Sequence, residues 1–384
     1  MGLTWQEYAR KIVTPFNVFA ALVLLIGLPL IAMRFIFGLE SVTHGSHDYP
    51  WGLFLGWGLF GGVPLSATGF VIGSAYYIFG FKGMKPIVRL ALLVGLLGYF
   101  FSVVYLLIDL GRPWRIYYPM AISFGTVSVL FLVAWHVAVY LMVQLVEFSP
   151  VILKWLNANR FRKWAVLLTI SMTIAGIILS TLHQSALGAM FLIIPSKLHP
   201  LWYSPYIPVF YLAQSIYAAL CMMIVVTSVV YTWYRNRCGT TFLNRYNHVT
   251  RNLAMASSVA IYIYVALKII GLVHGDVWWM LDSPYGYWYL VELIGLTLLP
   301  GIILTLGYKV SSNGALRIGA IFALIGIMVN RLNVTLVAFN YNRPDHLWNI
   351  IPTWQEIVIV LTITILHILV LRWIIGRMPV LSDD

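Results

Sequence analysis

The chain has 384 residues, 61% of them hydrophobic and only 9% charged, with a mean hydropathy of +0.88 and a net charge of +12. Soluble domains carry about 25% charged residues, so the composition excludes a water-soluble globular protein and specifies an integral membrane one. The positive charge does not point to nucleic acid, because the basic residues gather at helix ends, as the positive-inside rule requires.

A membrane-spanning helix needs about 20 mostly apolar residues, and ten stretches qualify: 16–39, 52–81, 86–109, 124–148, 164–183, 206–234, 250–273, 286–308, 314–338 and 354–376. The first has no A-x-A-like cleavage site and reads as a retained anchor. The second, "GWGLFGGVPLSATGFVIGSAYY", presents Gly61, Gly62, Ser66, Ala67, Gly69, Gly73 and Ser74 as a smooth surface with a kink at Pro64. Such a surface suits tight helix packing or the wall of a cleft for a flat lipophilic ligand. The third ends in "IDLGRPWR", where Asp109 and Arg112 are spaced to pair at i, i+3 and Gly111 and Pro113 stop the helix. An acid and an arginine at a helix mouth can hold carbonyl oxygens and exchange protons. His136 lies within span four, His183 closes span five in "STLHQSALG", and His367 lies within span ten. His136 and His183 are expected several turns apart in depth. Haem would need a facing histidine pair, which only His136 and His367 match by depth. The two cysteines, Cys221 and Cys238, cannot ligate a cysteine-held Fe–S cluster or build a disulfide framework.

Three charges fall inside consecutive spans: Lys268, Glu292 and Arg331. At 1.5 Å per residue each lies roughly 7–11 Å below the same membrane face. Charges at such depth are costly and mark structural glue or a proton-handling site. Two cations against one acid also leave positive charge that can attract an anionic or carbonyl ligand.

An even number of spans puts both termini on one side. With that side cytoplasmic, seventeen basic residues lie at inner segments, from Arg10 and Lys11 to Arg377, against five outside: Arg34, Arg112, Arg115, Lys197 and Arg343. The outer loops are rich in Trp, Tyr, Pro and His, as in "SKLHPLWYSPYIP" and "HGDVWWMLDSPYGYWY". Part of that is an interfacial aromatic belt, and part suits a protein docking platform. The loops carrying Trp202, Trp278 and Trp348 are the expected contact surface. No P-loop, GxGxxG or HExxH occurs, so ATP-driven transport and zinc proteolysis have no support.

At "IDLGRPW" the chain resembles the NrfD family of membrane subunits, and more closely its ten-helix HybB-type branch, which includes the membrane subunits of hydrogenase-2 and of Hmc- and Tmc-type cytochrome complexes. The likeness is carried in order by "FGLESV", "PWGLF", "IDLGRPW", "LHQSALGAM", "HPLW", "NRLNVTLVAFN" and "PTWQE". It implies an all-α integral membrane fold with two four-helix bundles, about 52–183 and 206–338, plus flanking helices 16–39 and 354–376. It implies a quinone site in the first bundle toward the outer face, with menaquinone or another quinone as ligand, no haem, and a polar proton path in the second bundle. A ferredoxin-like Fe–S subunit docked on the periplasmic face is implied as partner, with a hydrogenase or multihaem cytochrome in the same complex. Some branches carry a histidine in helix two that this chain lacks.

The resulting expectation is a multi-pass subunit of the bacterial inner membrane, embedded in lipid and making no contact with nucleic acid. Asp109, Arg112, His183 and His136 are the candidate quinone residues, and Lys268, Glu292 and Arg331 the candidate proton path. Metal sites are not expected. A secondary transporter or ion channel is the alternative, because Pro64 and Pro300 interrupt spans two and eight. An inert anchor would not need charges in the membrane interior.

Overall fold

The computed structural model describes residues 13–45, 51–342 and 351–383. Arg10, Lys11, Arg343 and Trp348 lie outside the described residues. Among the described residues, ten helices are long and apolar enough to cross a membrane: α1 (Pro15–Phe37), α2 (Phe54–Ile78), α3 (Lys85–Asp109), α4 (Val129–Trp155), α5 (Asn159–Ala189), α6 (Ile207–Trp233), α7 (Thr240–His274), α8 (Pro284–Lys309), α9 (Asn313–Val337) and α10 (Trp354–Arg377). No β-strand occurs among the described residues; Leu198 and Phe339 form an isolated antiparallel bridge.

All ten expected spans are present, but α4 and α5 run past their expected ends. The apolar pattern of α4 breaks at Glu147 and that of α5 at His183, yet both side chains are buried inside the protein. A polar residue with protein around it need not end a helix, because the backbone bonds continue regardless of what the side chain faces. His183 therefore sits six residues before the end of α5 rather than at its terminus, and α5 continues into a short 3₁₀ turn at Met190–Ile193.

Helices α2 to α5 pack in succession, α2 on α3, α3 on α4 and α4 on α5. A second group pairs α6 with α7, α7 with α8, α8 with α9 and α9 with α6, and α5 joins the two by packing on α6. One hydrophobic core runs through both groups. Helices α1 and α10 pack together and, with α3, share a separate core around Phe54, Phe101, Tyr105 and Ile363.

The helix ends follow local chemistry. Thr14 caps α1 by accepting from the Asn17 backbone N–H, and Thr353 and Glu356 form a reciprocal capping box on α10. Arg34 of α1 is fully enclosed, and its guanidinium donates to the Ile108 and Leu110 carbonyls, which covers the open end of α3. Helix α2 is discontinuous. It winds as π-helix over Phe54–Gly61 and Ser74–Ile78 and breaks between Leu65 and Thr68, just after Pro64.

The face bearing the loop residues 38–45, 51–53, 110–128, 190–206, 275–283, 338–342 and 351–353 is called the aromatic face below, and the opposite one the basic face. Small residues let α2 and α3 nearly touch. A Cβ at Gly58 would enter the Tyr105 ring, and one at Gly62 would come within 2.8 Å of Ser102 Oγ. Gly58→Val is expected to cost about 1–3 kcal/mol by overpacking and to lower the thermal unfolding midpoint in detergent. Gly83→Ala, where an added Cβ meets nothing within 4 Å, is expected to leave that midpoint unchanged.

Candidate functional site

The second helix group contains the three expected charges, all buried. The Glu292 carboxylate is held by neutral donors: Trp202 Nε1 at 2.9 Å, Asn330 Nδ2 at 2.6 Å and Asn333 Nδ2 at 2.5 Å. Asn333 is itself oriented by Trp288 Nε1, which donates to its Oδ1 at 3.0 Å. Lys268 Nζ lies 5.0 Å above the Tyr289 ring and 5.2 Å from that of Phe210, while Arg331 stacks 3.3 Å over the Tyr211 ring. The charges of Glu292 and Arg331 both act on Lys268, so the three share one electrostatic environment. None of them forms a direct ion pair among the described residues, and all three guanidinium nitrogens of Arg331 lack a protein acceptor.

Backbone irregularity builds this layer. Glu292 lies in a π-helical turn, Val291–Leu298, and Asn333 begins another, Asn333–Val337. Inserted π-turns cluster at functional sites because they redirect side chains that a regular helix would space evenly. Thr297 Oγ1 donates to the Glu292 carbonyl, five residues back, at 3.1 Å. Sequence reasoning missed Trp202, Asn330 and Asn333. The two asparagines flank Arg331 in "NRLN", a visible signal; the tryptophan reaches in from a loop and leaves none. Trp202 is 2% exposed, so the loop that carries it turns this side chain inward, whereas Trp278 on the next loop is exposed.

Nearby, on the aromatic face, His199 packs against Trp202, Tyr285 and Tyr341. Burial pulls its imidazole down to about 4, so it is neutral at physiological pH. Its Nδ1 accepts from the Leu201 backbone N–H at 3.2 Å.

The first group contains a polar stripe. His136, Tyr140, Gln144 and Glu147 stand on one side of α4 at i, i+4, i+8 and i+11, all buried. Across from them α5 presents Thr173, Ser180, His183 and Gln184. Tyr99 of α3 joins the two helices: its hydroxyl lies 3.3 Å from His183 Nδ1 and accepts from Gln184 Nε2 at 3.4 Å, and its ring meets Tyr140 edge-on at 4.6 Å. At the basic end Thr173 Oγ1 donates to Glu147 Oε1 at 2.8 Å. His136 Nδ1, His183 Nε2 and Gln184 Oε1 have no hydrogen-bond partner among the described residues.

The expected difference in depth between His136 and His183 is corrected here. His136 lies seven residues into α4 and His183 six residues from the end of the antiparallel α5, which puts both about 9–11 Å below the aromatic face. His136 does not pair with His367, which stacks on Phe101 of α3 instead, with centroids 4.6 Å apart and planes at 11°. Glu147 was also missed, although its spacing from His136 signals a shared face.

The expected Asp109–Arg112 pair does not form among the described residues. The chain leaves the helix at Leu110 (φ −64°, ψ 123°), so Arg112 is no longer one turn above Asp109, and it points into solvent. The cation that acts on Asp109 is Arg34, and the Glu356 carboxylate acts on it too. Glu356 accepts from Thr43 Oγ1 at 2.7 Å. The four expected quinone residues therefore fall in three places: Asp109 beside α1 and α10, Arg112 on the surface, and His136 with His183 inside the first group.

A cavity of about 1020 Å³ lies between α2, α3, α6 and α10. Its walls are mostly aliphatic, with Gly58, Gly62 and Gly98 providing flat areas. Ser66, Ser102, Tyr105, Thr364 and His367 are among its few polar groups. Tyr105, one turn before Asp109, donates to the Val360 carbonyl at 2.9 Å and lies 2.9 Å from Thr364 Oγ1. Binding sites for lipophilic small molecules have this character: apolar walls with a few placed polar groups. The surface of small residues on α2 thus serves both helix packing and a cleft wall.

The family profile described as "Polysulphide reductase, NrfD" matches residues 41–342. The chain belongs to the NrfD family. It is 41% identical over 374 residues to a protein of Nitratidesulfovibrio vulgaris Hildenborough whose name is simply "Protein", covering 97% of this chain and 96% of that one. It is 29% identical to the "Probable Ni/Fe-hydrogenase 2 b-type cytochrome subunit" of Escherichia coli K12, covering 98% and 95% of the two chains. A shorter likeness, 30% over 136 residues, covers 34% of this chain and 32% of the "Menaquinone reductase, integral membrane subunit" of N. vulgaris. With ten candidate spans, this NrfD-family chain is a multi-pass membrane protein.

The anchoring of Glu292 gives a direct test of the buried layer. Glu292→Ala strands Trp202, Asn330 and Asn333 and removes the one acid facing two cations, an expected loss of about 3–5 kcal/mol. Glu292→Gln keeps an acceptor and is expected to unfold at a temperature between those of the alanine variant and the wild type.

Proposed function

We propose that this chain is the quinone-reactive membrane subunit of a respiratory oxidoreductase in the bacterial inner membrane. The observation that carries the reading is the apolar cleft beneath Asp109, in a family whose named relatives here include a menaquinone reductase subunit and a hydrogenase subunit. A quinone supplies two-electron, two-proton chemistry. The cleft would hold its ring toward the Tyr105, Thr364 and His367 end, where the lining carries hydroxyl and imidazole groups. Asp109, one turn above, would exchange protons, and Arg34 and Glu356 set the field in which it does so.

Two buried polar files are fit to move protons. The α4 stripe from His136 to Glu147 spans eleven residues, about 16 Å along the axis, and the Lys268–Glu292–Arg331 layer occupies the second helix group, in line with two bundles of four. In both, unpartnered polar atoms need internal water or a mobile proton. The aromatic face would be periplasmic and both termini cytoplasmic, in keeping with the basic residues at the other end. Exposed Trp278, Trp279 and Trp354 suit the docking of an Fe–S partner there, with a hydrogenase or multihaem cytochrome beyond it. The transporter alternative is weaker because the large cleft is apolar rather than lined for a hydrophilic substrate.

Asp109→Asn is expected to lower quinone-linked turnover at least about tenfold, a barrier change of about 1.4 kcal/mol, in complex that still assembles. Arg112→Ala, at the exposed position, is expected to stay near wild type. Normal turnover in Asp109→Asn would remove Asp109 from the mechanism. The chain is also proposed to hold no haem or Fe–S cluster. The purified subunit is expected to lack a Soret band, and a stoichiometric b-type spectrum would refute this.

A further inference from the structure

The cleft is unequal at its two ends. Toward the aromatic face it is laced shut. Tyr105 ties α3 to α10 through Val360 and Thr364, Arg34 ties α1 to α3, and Thr43 ties the loop after α1 to Glu356 of α10. Toward the basic face it lies between α6 and α10, with Thr14 and Phe16 at the start of α1 beside the mouth. These helices have their main packing partners elsewhere, α6 on α7, α5 and α9, and α10 on α1 and α3. Each lines the gap with one stripe: Met222, Val226, Val229 and Trp233 on α6, and Ile368 and Leu371 on α10. Val229, Ile368 and Trp233 line the cleft and are also 36%, 38% and 76% exposed, so the cleft reaches the surface that lipid would cover.

From this asymmetry we infer that the gap between α6 and α10 is a lateral portal, through which a long-tailed isoprenoid quinone enters ring first from the leaflet on the basic face. The inference rests on the quinone reading above. From Met222 to Trp233 the α6 stripe rises about 16 Å, half of the roughly 30 Å hydrocarbon thickness. A ring at the Tyr105–His367 end therefore leaves one leaflet's depth of apolar wall for the tail. His367 stacks on Phe101 and has no hydrogen-bond partner among the described residues, which leaves an imidazole nitrogen available to a carbonyl arriving along this route. At the mouth, Arg372 and Phe16 both line the cleft; Arg372 donates to Asn17 Oδ1 at 3.1 Å and lies 4.9 Å over the Phe16 ring, which ties it to α1 at the rim. The portal thus has a cation at its rim and no charge in its throat, a profile that passes an uncharged lipophile. A phospholipid chain could occupy the same walls but has no use for the imidazole at their far end.

The test is the complete complex in proteoliposomes, assayed with a long-tailed menaquinone and with a tail-less naphthoquinone that partitions through water. Val229→Trp and, separately, Ile368→Trp put bulk in the throat away from the ring end. The ratio of long-tailed to tail-less turnover is expected to fall about tenfold in each, equivalent to about 1.4 kcal/mol on the entry step. Val229→Ala is expected to leave the ratio at or above wild type. An unchanged ratio in both tryptophan variants would overturn the portal, as would equal loss with both quinones. A phospholipid that co-purifies in the cleft and is not displaced by long-tailed quinone would overturn it too. Failure of the wild-type complex to turn over either quinone would instead sink the functional reading, so the two failures are distinguishable.

Discussion

Within a bilayer the hydrocarbon offers no hydrogen bonds, so each polar group must be answered inside the protein. Glu292 illustrates how far this constraint reaches. Its carboxylate takes three donors, two from α9 and one from Trp202 in the loop before α6. That arrangement fixes α8 against α9 and pins a loop of the aromatic face to the membrane interior. The acid thus sits on a hydrogen-bonded path that runs from the surface expected to meet a partner, through Trp202, to Asn330, the chain neighbour of Arg331. The chain has answered the carboxylate with neutral groups and left Arg331 against an aromatic face, so the charges influence one another without being locked in ion pairs.

The same constraint explains the helix lengths. In α4 and α5, buried histidines, glutamine and glutamate line up along facing stripes and are enclosed by protein. The helices run through them without a break, and their polar atoms approach each other instead of lipid. The glycines of α2 and α3 serve the complementary purpose. By letting two backbones come close on one side, they leave flat areas on the other, so packing and cleft arise from one set of small residues.

Much of this was legible in the sequence. Ten apolar stretches gave ten helices, and the motif order identified the family. The common depth of Lys268, Glu292 and Arg331 could be counted along three helices because each lies within eight residues of the same-face end of its helix, a distance over which the π-turns of α8 and α9 displace it little. Other features were not legible, for physical reasons. His183 looked like a helix end because hydropathy cannot distinguish a polar residue facing protein from one facing water. Arg112 looked paired with Asp109 because i, i+3 spacing presumes a helix that continues to residue 112, whereas α3 ends at Asp109. Arg34, which takes that role, is 75 positions away in sequence from Asp109. Trp202 reaches Glu292 from a loop, and the π-turns depend on tertiary packing that no local pattern encodes.

Those π-turns have a mechanical consequence. Each stores one residue beyond what a regular helix needs, and such a surplus can pass along a helix by exchanging hydrogen-bond partners one peptide at a time. A passage of one position advances the segment by about 1.5 Å and swings its side chains by about 100°. In α8 the residue so carried is Glu292, and in α9 it is Asn333, one of its donors. The two helices therefore hold the means to turn an acid and its ligand relative to each other while both helix ends stay fixed at the membrane surfaces, which is the geometry of a ratchet rather than of a hinge.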